Sequence, residues 1–427
     1  MVQNMTLVER AQAVLKSNDR GTYTVPTHGL YPFQWNWDSA LSALGFSHFD
    51  EPRAWTEIDT LFSHQWDDGM VPHIIFHERD EGYFPGPDIW QTNRPVPTSG
   101  ITQPPVAGFA VRRMFERAHD VDLAVERAKE LLPKIHAWHR WFFVARDPKD
   151  TGLVAIIHPW ESGRDNSIDW DDAFERVPAQ GVAPFIRRDT SHANPEHRPT
   201  DEQYKRYIWL VEHFRSMGWD NAKLHEGSPF LIVDPGFNAI LIRSCFDVAA
   251  LAEMLGLKDI ATEARDMGER AVDALASLWS EKHGQYLCLD RRLGSLIDSP
   301  SIGGVLASFA PIPEDKAKGI SARIETLAES CEYLVPSHDP TAEKFDSLRY
   351  WRGPVWLIVN YMIADGLRLA GETQTSDRIY ADCLRLIERS GFAEYYDPIT
   401  AEPCGGGQFT WTAAMVIEIL QYYKDTA

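Results

Sequence analysis

The chain has 427 residues, 44% of them hydrophobic and 24% charged, an ordinary composition for a globular protein long enough to bury a large core. A formal net charge of −20 excludes nucleic acid as an expected partner, since phosphate binding needs clustered Lys and Arg. The same charge means that an anionic ligand must be met by a locally placed cation.

Taken from the N-terminus, "MVQNMTLVERAQAVLKSND" has no apolar core of a signal peptide. Leu7, Ala11, Val14 and Leu15 fall on one helical face instead. Similar spacing predicts helices near 37–48, 53–65, 104–118, 121–146, 201–217, 236–256, 260–280, 300–309, 317–330, 351–370, 374–390 and 408–424. Asp259 is placed to cap the 260–280 helix, and Gly371 to end the one at "GLRLA". Strand signal is confined to "VPHIIFH" and "GLVAIIHPW". No apolar run approaches the roughly 18 residues of a membrane span, so no membrane partner is expected and a cytoplasmic location is. Five scattered cysteines (Cys245, Cys288, Cys331, Cys383, Cys404) with no CxxC or Cys/His zinc spacing fit a reduced compartment and no structural metal.

About a dozen helices, mostly in antiparallel pairs with long loops on one side, predict an all-α toroid. No repeat of fixed period is visible, so that expectation rests on helix count. No low-complexity linker divides the chain, and residues 1–427 read as one domain. The polar stretch "RRDTSHANPEHRPTDEQ" reads as part of a loop or lid insertion around 173–203.

Fifteen Trp stand in the chain, many in loops beside carboxylates. "YPFQWNWDS" holds Tyr31, Trp35, Trp37 and Asp38; "HPWESGRDNSIDW" holds Trp160, Glu161, Gly163, Asp165 and Asp169. "LRYWRGPVW" holds Tyr350, Trp351 and Trp356; "GFAEYYDP" holds Glu394; "GGGQFTWTAA" holds Trp411. One such cluster is ordinary core packing, because Trp is highly buried on average. Five, mostly with ionisable groups in Gly/Pro-punctuated loops, suit a polyol, whose C–H faces stack on rings and whose hydroxyls pair with carboxylates and amides. Glycoside hydrolysis needs two carboxyl groups on facing segments, one protonated and one ionised. Glu161 or Asp165 offers one and Glu394 or Asp397 the other. Asp397 precedes Pro398 and has the look of a turn former, which favours Glu394. Gly163 allows a sharp turn, and spacing leaves Glu161 and Asp165 equally eligible.

The set "WNWDS", "HPWESGRDNS", "DPGFNAIL", "YWRGPVW" and "FAEYYDP…FTWTAA" resembles glycoside hydrolase family 63, and within it the bacterial glucosylglycerate and mannosylglycerate hydrolases. These motifs run from Tyr31 to Ala414. The resemblance implies an (α/α)6 barrel and an inverting α-glycosidase that needs no cofactor, with a small-molecule glycoside as partner and a homo-oligomeric assembly. It implies Asp165 as general acid and Glu394 as general base. Asp38 is then a substrate-site acid, and Glu161 a supporting group or hydroxyl ligand. It also implies Arg198 and Tyr204, in "RPTDEQY", as the loop-borne holders of a glycerate carboxylate. Tyr31, Tyr83 in "EGYFPGPDIW", Gln103 in "TQPP", Tyr350, Trp351 and Trp356 are substrate-side positions by the same resemblance. Two departures are Ile168 where the family often has Pro, and Cys404 in the glycine-rich turn.

Competing expectations are a same-fold glycosidase for neutral α-glucosides such as trehalose, a sugar isomerase using His64, His73, His77 or His158, and a non-catalytic sugar-binding protein. The run of Asp169, Asp171 and Asp172 raises Ca²⁺, with a solvated acidic turn preferred, so no metal is expected.

Overall fold

The computed structural model describes residues 5–426, so the first four residues of the N-terminal stretch read above lie outside it. Twelve helices form two rings. In chain order they are α1 (Leu7–Asn18), α2 (Asn36–Phe46), α3 (Glu51–Ser63), α4 (Ala107–Arg117), α5 (Val121–Ala145) and α6 (Pro235–Met254). They continue with α7 (Lys258–Leu275), α8 (Ile302–Leu306), α9 (Glu314–Leu327), α10 (Leu357–Leu369), α11 (Thr373–Ser390) and α12 (Thr410–Thr426). The even-numbered helices close a ring, each touching the next and α12 returning to α2. Of the outer helices, α1 packs on α12, α3 on α2, α5 on α4, α7 on α6 and α11 on α10, while α9 leans on α11 and on the strand Gln285–Tyr286. This is an (α/α)6 barrel.

The residues explain which helix goes where. Every position of α2 is buried, as is α10 from Leu357 to Leu367. A helix apolar on all sides belongs to an inner wall. α11 is buried along a stripe of Ile379, Tyr380, Cys383, Leu386 and Ile387, at the three- and four-residue spacing of an outer helix facing inward. All these stripes join one hydrophobic core. Among the described residues no helix is long and apolar enough to cross a membrane.

Connections sort by length. Those after inner helices are short (47–50, 118–120, 255–257, 307–313, 370–372), whereas those before them are long (19–35, 64–106, 146–234, 276–301, 328–356, 391–409). The long loops therefore gather at the N-terminal end of the inner ring, and the insertion around 173–203 lies among them.

Several local expectations change. Asp259 does not cap α7: the helix starts at Lys258, and Asp259 sits in its first turn, where a carboxylate still favours the helix dipole. Gly371 ends α10 as read, with φ +90°. Residues 351–356 are not helical. Pro354 cannot donate to a helical ladder, and Val355 instead exchanges backbone hydrogen bonds with Tyr396 (2.8 and 3.0 Å). "VPHIIFH" yields the strand Ile74–Ile75, paired with Gln34–Trp35. "GLVAIIHPW" yields only an isolated bridge, Ile156 to Ile232. The hairpin of Ala393–Tyr396 with Pro403–Gly407 was not foreseen, because its glycine-rich second strand carries no alternation.

Candidate active site

A cleft opens at the long-loop end, lined by carboxylates, aromatics and cations drawn from most of the length of the chain. Its first carboxylate, Asp165, follows a 3₁₀ turn (Pro159–Ser162) capped by His158, whose Nδ1 accepts from the Trp160 amide at 3.0 Å. Gly163 then reverses the chain with φ +70°; a Cβ there would sit 2.5 Å from the Trp37 ring, so only glycine fits. The Asp165 carbonyl accepts from Trp170 Nε1 (3.1 Å) and Tyr207 Oη (3.0 Å). These bonds pin the backbone while the carboxyl, without a hydrogen bond from any other side chain among the described residues, lines the cleft. Burial pushes its pKa up to about 7, Arg198 opposes that shift, and Glu394 and Asp189 add to it.

Glu394 stands on the strand Ala393–Tyr396 and is 1% exposed. Its Oε1 accepts from Tyr31 Oη at 3.0 Å and its Oε2 from the Gly406 amide at 2.9 Å. Arg198 Nη1 lies 3.6 Å from Oε1. Burial raises this pKa too, but the Arg198 charge and both donors oppose the rise. Two carboxyls thus share a cleft in unlike settings, one with no donor from another side chain and one held by a hydroxyl, an amide and a cation, the asymmetry that separates an acid from a base.

Gly405 shows how tightly Glu394 is held. Its φ is +72°, and a Cβ there would fall 2.2 Å from Glu394 Oε2. Gly405→Ala is expected to displace the carboxylate and lower kcat/KM about 10²-fold, since small misplacements of a reacting group have that effect. Steady-state kinetics beside a thermal melt would show it, and unchanged kinetics would refute it.

Arg198 is buried. Its Nη2 donates to Tyr31 Oη (2.9 Å), its Nε to Asp189 Oδ2 (3.2 Å), and its guanidinium lies 4.0 Å from the centre of the Tyr350 ring. Nη1 is buried and makes no hydrogen bond. Tyr350 adopts φ +39°, a strained value for an aromatic residue. Its conformation is held by Trp356 Nε1 donating to its carbonyl (3.0 Å) and by the next amide, Trp351, donating to Asn166 Oδ1 (3.0 Å).

Aromatic rings supply the rest of the wall. Tyr31 and Tyr83 meet Trp35 edge-on, Trp37 meets Trp411 at 5.6 Å, and Trp160 stacks on His73. Asp38 starts α2 beside them, with Oδ1 unpartnered and its pKa raised well above the usual range by burial. Gln103 accepts from the Trp37 amide at 3.3 Å.

Of the residues that the resemblance and the aromatic clusters assign to the site, Tyr31, Trp35, Trp37, Asp38, Tyr83, Gln103, Trp160, Gly163, Asp165, Arg198, Tyr204, Tyr350, Glu394 and Trp411 all line the cleft. Three do not. Glu161 is turned inward, accepting from Arg146 Nη2 (2.7 Å) and the Ile157 amide (2.9 Å). It is the counter-ion of a buried arginine, not a hydroxyl ligand. Trp351 and Trp356 stack on each other 3.9 Å apart, and Trp356 on Tyr395 at 4.5 Å, so they form the wall behind Tyr350 and not its surface. Tyr204 is in the first turn of the helix Asp201–Ser216 and not on a loop, and its hydroxyl donates to the Phe84 carbonyl at 3.2 Å.

Asp169 and Asp171 do not converge. Asp169 accepts from Ser299 (3.0 Å) and Arg164, and Asp171 from Arg352 (2.8 Å) and Lys344 (3.1 Å). Among the described residues no group of three or more His, Cys, Asp or Glu is arranged to hold a metal. The sequence reading missed Asp189, Arg188, Phe84 and Phe409, and it gave His73 no place in the cleft, yet all line it. The charged triplet Arg187-Arg188-Asp189 was the one signal in an insertion without periodicity.

Comparison with known proteins agrees with this geometry. Residues 31–412 match the model of the mannosylglycerate hydrolase MGH1-like glycoside hydrolase domain. The chain is 45% identical to mannosylglycerate hydrolase MGH1 of Selaginella moellendorffii over 96% of this chain and 84% of that one. It is 33% identical to the glucosylglycerate hydrolase of Mycolicibacterium hassiacum, over 97% of both chains. Among solved structures it is similar to a GH63 mannosylglycerate hydrolase of Thermus thermophilus in complex with Tris and D-glycerate. That likeness has a TM-score of 0.94 and 47% identity, and covers 97% of this chain and 100% of the other. With twelve helices around a cleft that holds two carboxyls in opposed settings, this chain belongs to the MGH1-like glycoside hydrolases of family 63.

Proposed function

We propose that this glycoside hydrolase cleaves an α-linked hexosyl glycerate, mannosylglycerate or glucosylglycerate, to hexose and glycerate with inversion at the anomeric carbon, and that it does so in the cytoplasm. The observation that carries the substrate class is Arg198. In a chain of net charge −20, a buried guanidinium lines the cleft, with Nη1 3.6 Å from Glu394 Oε1 and short of a hydrogen bond to it. A buried donor without a partner is unfavourable, and a planar cation matches a carboxylate by two hydrogen bonds. The similar Thermus enzyme was crystallised with D-glycerate.

In this reading Asp165, protonated up to about pH 7, gives its proton to the glycosidic oxygen. Glu394, kept ionised by Tyr31, the Gly406 amide and Arg198, takes a proton from the attacking water. Trp35, Trp37 and Trp411 stack on the hexose, while Asp38 and Gln103 bind its hydroxyls. Tyr204, already bonded to Phe84, braces the cleft edge, and Arg198 alone meets the carboxylate.

A panel of mannosylglycerate, glucosylglycerate, glucosylglycerol and trehalose tests this. We expect kcat/KM for one or both glycerate glycosides to exceed the neutral pair by about 100-fold or more, because a site built for a buried ionic contact rejects ligands lacking it. Equal or faster turnover of glucosylglycerol or trehalose would refute it.

A further inference from the structure

We infer that Asp189 is a positioning residue of this active site: it holds Arg198 by the guanidinium edge, so that Nη1 stops short of a hydrogen bond with Glu394 and the cation stays available to the substrate carboxylate. The inference rests on the substrate reading above.

Arg198 has two anions within reach. Its Nε donates to Asp189 Oδ2 at 3.2 Å, while Nη1 stands 3.6 Å from Glu394 Oε1 without a hydrogen bond. A buried ion pair repays its desolvation only where the geometry is good and further hydrogen bonds hold the partners. Asp189 is the better presented because it is itself fixed. Arg187 grips it with two parallel bonds, Nε to Oδ1 (3.0 Å) and Nη2 to Oδ2 (2.7 Å). Arg187 is anchored in turn to the Pro199 carbonyl (2.7 Å) and to Asp201 (3.0 Å). Between them in the chain, Arg188 bonds Asp80 (2.7 Å), tying the insertion to the loop that carries Tyr83. Arg187 thus fixes the Asp189 carboxylate directly and Arg188 fixes the adjoining backbone, with Asp189 in the cleft wall.

With Nε engaged, the guanidinium, kept planar by delocalisation, cannot swing as a unit toward Glu394 without breaking that bond. Its Nη groups are left to Tyr31 and to the cleft. The negative charge of Asp189 also acts on both reacting carboxyls, raising the pKa of Asp165 and of Glu394 against the pull of Arg198. One carboxylate therefore orients the cation and offsets its field at the base.

The test is Asp189→Asn, with Asp80→Asn as the comparator that loosens the same insertion without touching Arg198. In Asp189→Asn, Arg198 falls onto Glu394. We expect kcat/KM on the better hexosylglycerate to drop about 10- to 100-fold, and both limbs of its pH profile to move to lower pH by about half a unit to one unit. Preference over the hexosylglycerol analogue should shrink about tenfold or more. Asp80→Asn should lower kcat/KM with both limbs in place, and Asp189→Glu should restore part of the loss. If Asp189→Asn leaves the limbs unmoved, or Asp80→Asn moves them equally, Asp189 is only structural and the inference fails. Should wild type hydrolyse only neutral α-glycosides, the substrate reading fails instead, and the pH limbs measured on that glycoside still decide the effect of Asp189 on the pair.

Discussion

Asp165→Asn is expected to lower kcat on the hexosylglycerate substrate about 10²- to 10⁴-fold, the range in which positioned general acids act, while substrate still binds. The amide keeps the shape and cannot give up a proton to the glycosidic oxygen. The pH profile supplies a second, independent reading. In the proposed mechanism Asp165 works protonated, so wild-type activity should fall as pH rises through about 7, and this basic limb should vanish in the variant. The sign for stability runs opposite to that for activity. A carboxyl whose folded pKa is raised favours the fold below its unfolded value near 4, and that contribution is lost as pH rises through the folded value. Removing it should raise Tm, with a larger gain at pH 8 than at pH 4. Full activity in Asp165→Asn would remove the residue from the mechanism. Glu394→Gln should be at least as damaging to kcat, but its acidic limb is the one that disappears.

Arg198→Ala is expected to cost about 2–5 kcal/mol of transition-state and ground-state binding toward a glycerate glycoside, the range for truncating one partner of a buried charge pair. That is a fall of about 30-fold to several thousandfold in kcat/KM. Hexosylglycerol, without the carboxylate, should lose far less. Because Arg198 lowers the pKa of both Asp165 and Glu394, its removal should move both pH limbs upward, opposite to the shift expected for Asp189→Asn. Arg198→Lys should recover only part of the loss, since an ammonium cannot present the planar fork. Equal losses on both substrates would mean that Arg198 serves the fold and not the carboxylate.

Much of this site is legible as residue types before any fold is known. Trp and Tyr next to Asp, Glu and Gln in loops point to a sugar, because the chemistry of a polyol demands both faces and acceptors. Directions are what a sequence lacks. Glu161 and Asp165 are four residues apart, and only the 3₁₀ turn and the positive φ of Gly163 send one inward to Arg146 and the other into the cleft. Trp351 and Trp356 flank a proline and a glycine, as exposed loop aromatics do. The Val355–Tyr396 backbone bonds fold that loop flat and bury both rings. Asp189 is fixed by partners two residues before it and nine after it, in a stretch with no helix or strand pattern to mark either pairing. The inner helices were visible as elements because they are apolar, but an all-buried helix has no stripe to mark its ends, hence the six-residue overshoot at the start of α10.

In the proposed mechanism Asp165 and Glu394 act from opposite sides of an α-glycosidic bond to glycerate, with water attacking in a single displacement. Proton NMR of the first turnovers on mannosylglycerate or glucosylglycerate tests it most directly. Initial release of the β-anomer of the hexose, followed by slow mutarotation, is the predicted result. Initial release of the α-anomer would contradict it.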